Sequence, residues 1–506
     1  MKKNKFRKLL FGGTVLIALA AFIYQTEPMD SKSIKSGIKV WSLRSPFSTD
    51  PLQYDALAHH ICFRSAYASL VTEYKLGEIQ GVISDFWSPN KTLDTWTFHI
   101  RQGMVFANGD IITPKIVAES LNRAALVMKN AKSESGLLEF LNGFSSLESA
   151  TKLIPGIRYD SNSILLSFIR PMPDLLTKIG FGLYAVAHPS QYDSVTGEWK
   201  DPHLLISSGP YEIADWNKES LSLKLRPSFP KDLLLGKPIH LVKFHFLPSD
   251  ILDSDIIIDF DESLAVNDDY VFNGPVKSAI KYVECSSWKA AGSLCGDKQA
   301  RLALRDRFYK YFKEQKGVSL IQSFFPLAIE GVRETTSSAN SESSNDYFRD
   351  KRIRVSKAPD VVKSNKFVNI LTSNQAFEES FKSLARDSGL KVEVVAPPSG
   401  PIVVDDIDVR FKMTAILVDS PKQDIQFMFL SAHGIQLPDE TGKIKDLVRS
   451  DSFDIQAVNR MLWDQGIVWP VGHMALGVWT KKSSNFNLKK YNTVLPPLDL
   501  QWIESN

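Results

Sequence analysis

The side chains able to do chemistry are few and scattered. Cys62, Cys285 and Cys295 are the three cysteines of 506 residues. Cys285 and Cys295 are near enough in sequence to pair if their backbones come within disulfide reach. Cys62 falls in an apolar helical pattern, where a buried, inert thiol is expected. No Cys-x-x-Cys or His-x-x-x-His spacing accompanies them, so no metal site is expected. His59 and His60 are neighbours; on a helix they point about 100° apart and cannot chelate together. The Gly-x-Ser-x-Gly elbow, the His-Glu-x-x-His zinc helix and the Gly-rich phosphate loop are all missing from the sequence. Aspartates and glutamates are plentiful, but spacing alone pairs none of them for glycoside chemistry. Catalytic, metal-ligating and cofactor-binding residues are therefore assigned to none.

One carboxylate is placed differently. Met413 to Val418 is an apolar run that ends in Asp419, Ser420 and Pro421. Ligands of open α/β sheets bind beyond the carboxyl ends of strands, so Asp419 is positioned to meet a cationic group. An Asp two residues before a proline also serves as a plain turn or helix N-cap. Both readings stand.

The elements that would position such groups begin at Thr95. Trp96, Phe98 and Ile100 alternate with Thr97, His99 and Arg101, the period of a half-buried strand. Gly103 and then Asn108-Gly109-Asp110 supply turn chemistry, with a short strand between them. Thr113-Pro114 is a helix start, with Thr as N-cap and Pro at the first helical position. Val117, Ala118 and Leu121 follow at helical spacing.

The order Phe-His-Ile-Arg-Gln-Gly (98–103), Phe-Ala-Asn-Gly-Asp (106–110) and Thr-Pro-x-x-Val-Ala-x-Ser-Leu (113–121) resembles the signature of family 5 extracellular solute-binding proteins. These are the oligopeptide- and dipeptide-binding subunits of ABC importers. Ser207-Ser208-Gly209-Pro210-Tyr211-Glu212-Ile213 with Trp216 is similar to a second block of that family, a Gly-Pro turn feeding a strand. Asp50-Pro51, the Tyr67–Val71 segment, Asp297 to Leu304 with Arg301, and Gly389 with the strand after it match further family elements. The sequence departs at Thr49, where a Leu is usual. It departs again at Asp255–Asp259, which only loosely resembles an Ala-Gly-x-x-Asp element.

The resemblance implies an α/β fold, the two-lobe periplasmic binding protein type II of the large oligopeptide-binding class, with an extra small subdomain in lobe I. The implied division is a signal peptide or membrane anchor over 1–24 and a linker over 25–36. Lobe I follows, made of 37–71, 191–260 and 479–506 around a small subdomain at 72–190. Lobe II takes 261–478. A ligand would meet Asp419, Ser420, Ile416, Tyr54 and Leu57. In peptide-binding members the matching Asp pairs with the ligand's α-ammonium. Here Ile416 stands where an aromatic is common, and Ser420 where Tyr is usual. The implied function is capture of a peptide-like ligand and delivery to an ABC permease, by a monomer. The alternatives are a degenerate tethered relative acting as sensor or scaffold, and an exported hydrolase.

Composition agrees with a large globular chain. Hydrophobic residues make 43% and charged residues 23%, which excludes a disordered or fibrous class. The net charge is +3, and Lys2, Lys3, Lys5, Arg7 and Lys8 in the first 26 residues outweigh it. The remainder is left slightly acidic, which argues against nucleic acid. The basic start and the apolar run from Leu9 to Tyr24 read as a secretory segment, with Ala18-Leu19-Ala20 as a cleavage site. An uncleaved anchor of this length would be short for a membrane helix. No cysteine follows it to carry lipid. A periplasmic body, cut free or tethered, is expected.

Overall fold

The computed structural model describes residues 37–42, 45–52, 62–75, 78–131, 137–180, 182–234, 239–246, 253–258, 268–273, 277–285, 293–315, 321, 323–325, 348, 351–356, 372–395, 408–415, 421–430, 435, 442–449, 453–475, 478–484, 486–488 and 503–505. Three sheets of four or more strands organise them. The alternation over Thr95–Ile100 does form a strand, with Trp96, Phe98 and Ile100 buried. It is an inner strand of a four-stranded antiparallel sheet, between Ser84–Pro89 and Ser163–Ser167. Helix Pro114–Asn130 packs Val117, Leu121 and Ala125 into the same core. Thr113 caps it as the sequence predicts, its hydroxyl accepting from the Ile116 N–H at 3.3 Å. Gly103 and Gly109 take φ of +80° and +91°, so the turns are those the glycines allow. The short strand expected between them is reduced to one bridge, Val105 to Ile111. Five residues, 106–110, spent on the turn between Val105 and Ile111 leave no length for a ladder.

The other two sheets are joined twice. The seven-stranded sheet contains Ile38–Trp41, Leu241–His245, Ile256–Ile257, Tyr270–Asn273 and Val478–Lys481. The five-stranded sheet contains Lys277–Cys285, Arg352–Ser356, Lys391–Val395, Val409–Ala415 and Val468–Ala475. The chain therefore leaves the first sheet after Asn273 and enters the second at Lys277, then leaves at Ala475 and returns at Val478. The departing and returning strands pair antiparallel on both sides, Asn273 with Val478 and Lys277 with Ala475.

Helix Lys298–Lys313 starts on Asp297, whose carboxylate accepts from Ala300 N–H at 2.7 Å. Helix Thr372–Ser388 ends at Gly389, with φ +74°, and feeds strand Lys391–Val395. Phe308, Phe312, Phe377, Phe381 and Trp469 interlock between them. Cys285 and Cys295 form a disulfide with Cα atoms 5.5 Å apart, and Cys62 is buried outside any disulfide. Two sequence patterns differ from the described elements. Met413–Ala415, the described part of the run 413–419, belong to a strand that begins at Val409, in register with Lys277–Cys285. The helical spacing through Leu70 stops at a 3-10 turn, Arg64–Ala66, after which the chain is extended. The expected strand 367–371, the polar loop 334–346 and His59-His60 lie outside the described residues. Among the described residues no helix is long and apolar enough to cross a membrane.

The second matched block touches the Tyr67–Val71 segment through Gly209. A Cβ there would lie 2.6 Å from the Tyr67 carbonyl oxygen and 2.7 Å from its carbonyl carbon and nitrogen. Gly209→Ala is expected to lower stability by about 1–3 kcal/mol through forced backbone displacement, read as a lower midpoint in urea unfolding.

Candidate functional site

Strand direction decides where a ligand could sit. In the first sheet, Ile38–Trp41, Leu241–His245 and Ile256–Ile257 run parallel. Ile256–Ile257 lies antiparallel to Val478–Lys481, so its carboxyl end lies beside Val478, the residue at which the chain returns. In the second sheet, Val409–Ala415 is antiparallel to Lys277–Cys285, and Ala415 stands opposite Ala279, two residues from the entry point. Arg352–Ser356 and Lys391–Val395 run parallel to it. The carboxyl ends of the parallel strands in both sheets thus run toward the double crossing. Open α/β sheets bind ligands beyond the carboxyl ends of their strands, so the space beside the crossing is the candidate site.

The residues singled out from the sequence are next in the chain to described segments. Tyr54 and Leu57 follow the stretch 45–52 that continues from Ile38–Trp41. Ile416, Asp419 and Ser420 follow Val409–Ala415 and precede helix Pro421–Leu430. All five lie outside the described residues, so the structure fixes their flanks and not their side chains.

The flank before Tyr54 is held by a buried ion pair. Arg123 Nη2 donates to Asp50 Oδ2 at 2.7 Å, with both side chains under 5% exposed. Asp50 Oδ1 accepts from the Leu52 N–H at 3.1 Å, so both its oxygens are used. Arg123 Nε donates to the Gly197 carbonyl at 2.8 Å, and the guanidinium lies over the rings of Trp199 and Tyr192. The neighbouring Thr49 is bound as firmly. Its N–H donates to the Pro202 carbonyl at 2.7 Å and its hydroxyl to the Leu204 carbonyl at 2.7 Å. Trp199 Nε1 donates to the same hydroxyl at 3.0 Å, and Tyr67 donates its hydroxyl proton to the Thr49 carbonyl. Burial pushes the Tyr67 hydroxyl well above its usual pKa; the Asp50 charge adds to this and Arg123 offsets part of it. Tyr192 is pushed up to about 12, again chiefly by burial.

Sequence reasoning found Asp50 and missed its partner. The available signal was Arg123 itself, a lone cation on the buried face of a capped helix, two residues beyond the matched Leu121. Arg226 was missed as well. It donates to the Ser207, Gly209 and Val105 carbonyls at 2.9, 2.6 and 2.7 Å, tying the second matched block to the first. Arg301, matched in sequence, donates to the Cys295, Gly296 and Gln465 carbonyls at 2.7, 3.2 and 3.1 Å. It thereby fastens the disulfide loop to the end of helix Ile455–Gln465 and is far from any ligand role. Among the described residues no group of three or more His, Cys, Asp or Glu could hold a metal ion.

Residues 79–248 match the model of bacterial extracellular solute-binding proteins, family 5, middle region. The fold is similar to that of the Escherichia coli murein tripeptide binding protein MppA, with TM-score 0.68 at 14% identity over 93% of this chain and 99% of that one. Haemophilus influenzae OppA in complex with the peptide RPPGFSPFR gives 0.67 at 14%, over 93% and 99%. A substrate binding protein from Microbacterium hydrocarbonoxydans, complexed with 4-hydroxybenzoate hydrazide, gives 0.62 at 15%, over 93% and 100%. At such identities the likeness is one of fold. No curated relative matches the chain.

Asp50→Asn would leave the Arg123 guanidinium buried without its carboxylate. The expected cost is about 3–5 kcal/mol in denaturant unfolding, partly recovered in the double variant Asp50→Asn/Arg123→Met. The tyrosines predict an alkaline limit. A hydroxyl whose folded pKa is raised favours the fold below its unfolded value of 10, and that contribution is lost as pH climbs toward the folded value. Stability should fall from pH 10 upward by as much as about 1.4 kcal/mol per unit for each such tyrosine. Tyr67→Phe should flatten that slope while lowering stability at neutral pH.

Proposed function

We propose, from the premise that this chain carries the family 5 middle region on a two-lobe binding-protein fold, that it captures a peptide-like ligand outside the cytoplasm and passes it to an ABC permease. The observation that carries the reading is the convergence of the carboxyl ends of both sheets on the double crossing. Lobe I is built on the seven-stranded sheet, with the small subdomain on the Thr95–Ile100 sheet, and lobe II on the five-stranded sheet. Because Tyr270–Asn273 pairs within the first sheet, we place the change of lobe after 273 and not at 261. The N-terminal 24 residues serve as export signal or tether, and the body works as a monomer.

The mechanism needs no nucleophile. An extended peptide offers N–H and C=O groups to exposed backbone in the cleft, in the manner of an added strand. Asp419 takes the α-ammonium, and Tyr54, Leu57, Ile416 and Ser420 line the space around it. Rotation of the lobes about the two crossing strands shifts the open–closed population by the ligand's preference for the closed form.

A peptide library should raise the unfolding temperature in a concentration-dependent way, the unfolding free energy gaining about 2.7 kcal/mol at a hundredfold excess over Kd. Mass spectrometry should recover the bound peptide uncut; cleaved product would make the protein a hydrolase and end the proposal. Asp419→Asn should weaken peptides with a free N-terminus by about 30-fold, about 2 kcal/mol, in calorimetry. N-acetylated peptides should bind the wild type and the variant equally weakly.

A further inference from the structure

Trp216 closes the second matched block, and the proposed peptide site makes no use of it. It is the last residue of strand Tyr211–Trp216, which runs antiparallel to Ser220–Leu225, itself antiparallel to Leu241–His245. The strand is therefore parallel to Ile38–Trp41, and its carboxyl end lies on the edge where a ligand is expected. Trp216 pairs with Leu221, and the same row continues through Phe244, Val40 and Ile256 to Thr480, on the returning strand. Neighbouring strands lie about 4.8 Å apart, so Trp216 stands about 24 Å from Thr480. One end of the row is the crossing; the other is the outer rim of lobe I.

Three rings meet at that rim. Trp216, half-buried, packs edge-to-face on the buried Phe63, with centroids 5.5 Å apart. His203, exposed, packs edge-to-face against Trp216 at 4.7 Å. Among the described residues neither the His203 ring nor the Trp216 Nε1–H makes a hydrogen bond.

The backbone around His203 is nonetheless fixed. Its N–H donates to Asp201 Oδ1 at 2.8 Å. The Pro202 carbonyl before it accepts from the Thr49 N–H, and the Leu204 carbonyl after it from the Thr49 hydroxyl, both at 2.7 Å. Thr49 belongs to the stretch 45–52 that continues from Ile38–Trp41 toward Tyr54. The rim and that flank are thus tied together, and little backbone order remains to be lost on contact with a ligand. Leu204, the next residue, is 48% exposed and adds apolar surface.

We infer that His203 and Trp216 form a distal subsite of the peptide cleft, which takes an aromatic side chain of the ligand about seven residues from its amino end. The inference rests on the peptide-capture reading. Asp419, proposed there to take the α-ammonium, follows Val409–Ala415, the neighbour of the strand that enters at the crossing. An extended peptide rises about 3.3 Å per residue, so about seven residues cover the row from crossing to rim. A ligand ring extends a cluster whose members already meet edge-to-face, the arrangement aromatic pairs prefer. Shorter peptides are held near the crossing alone.

The test uses the full chain and ten-residue peptides of alanine and glutamine with a free amino terminus. A single tyrosine is moved from position 2 to position 10, and each Kd is measured by calorimetry. Tyrosine at positions 6 to 10 should tighten binding about fivefold over the tyrosine-free peptide, the range of one aromatic pair. His203→Ser and Trp216→Leu should each remove that gain, read as the ratio of the two Kd values within each protein. His203→Ser alters an exposed side chain, so it decides the matter even where Trp216→Leu fails to fold. With the position-8 peptide bound, NMR should show contacts between the tyrosine ring and the His203 ring. A flat scan, a gain confined to positions 2 to 5, or a gain kept in His203→Ser overturns the inference and leaves peptide capture standing. Failure of every peptide to bind overturns both.

Discussion

Two short antiparallel ladders constrain everything else in the molecule. Tyr270–Asn273 with Val478–Lys481, and Lys277–Cys285 with Val468–Ala475, carry the chain out of one sheet and back beside itself. Because the outgoing and returning strands are neighbours in both sheets, the two sheets share one axis of connection. A sheet entered at one edge must aim its parallel strands either at that edge or away from it. Here Val409–Ala415 on one side and Ile38–Trp41 with Ile256–Ile257 on the other all aim at it. Hydrogen-bond direction alone therefore aims the carboxyl ends of these strands at a common edge.

Loops without a ladder of their own need another source of order, and buried arginines supply it. Arg123, Arg226 and Arg301 each spend guanidinium donors on backbone carbonyls of irregular segments. One planar cation can satisfy several acceptors at once, which hydroxyls and amides do less well. Arg123 has a buried carboxylate opposite it, Asp50. Burial lowers the Arg226 pKa, opposed by Glu212, and the carbonyl oxygens compensate the charge that remains. Such fastening costs desolvation and yields a defined loop geometry.

What was legible in the sequence was local. Alternation at Thr95–Ile100 named a strand and its buried face, Thr113-Pro114 named a helix start, Asp297 named another, and Gly389 named a helix end; all four are found. Each depends on backbone geometry and on burial of one face within a few residues. The errors are of the opposite kind. The helical spacing from Leu57 to Leu70 is not kept past Ala66, where the chain turns extended and the Ala66 carbonyl accepts from Gly209 N–H, more than a hundred residues away in sequence. The strand that holds Met413 begins four residues before it, at Val409, in register with Lys277–Cys285. Asp50 was recognised as an element but not as half of an ion pair, since no spacing connects it to Arg123.

The sequence by itself therefore determined the element types, their caps, the turns and the family resemblance, since these follow from side-chain period and backbone preference over short distances. Tertiary structure alone decided which strands pair, that the chain crosses twice between sheets, and which carbonyls each buried arginine holds. Those depend on contacts between residues far apart in the chain, where hydrophobic burial selects among many registers that local preference leaves equal in energy.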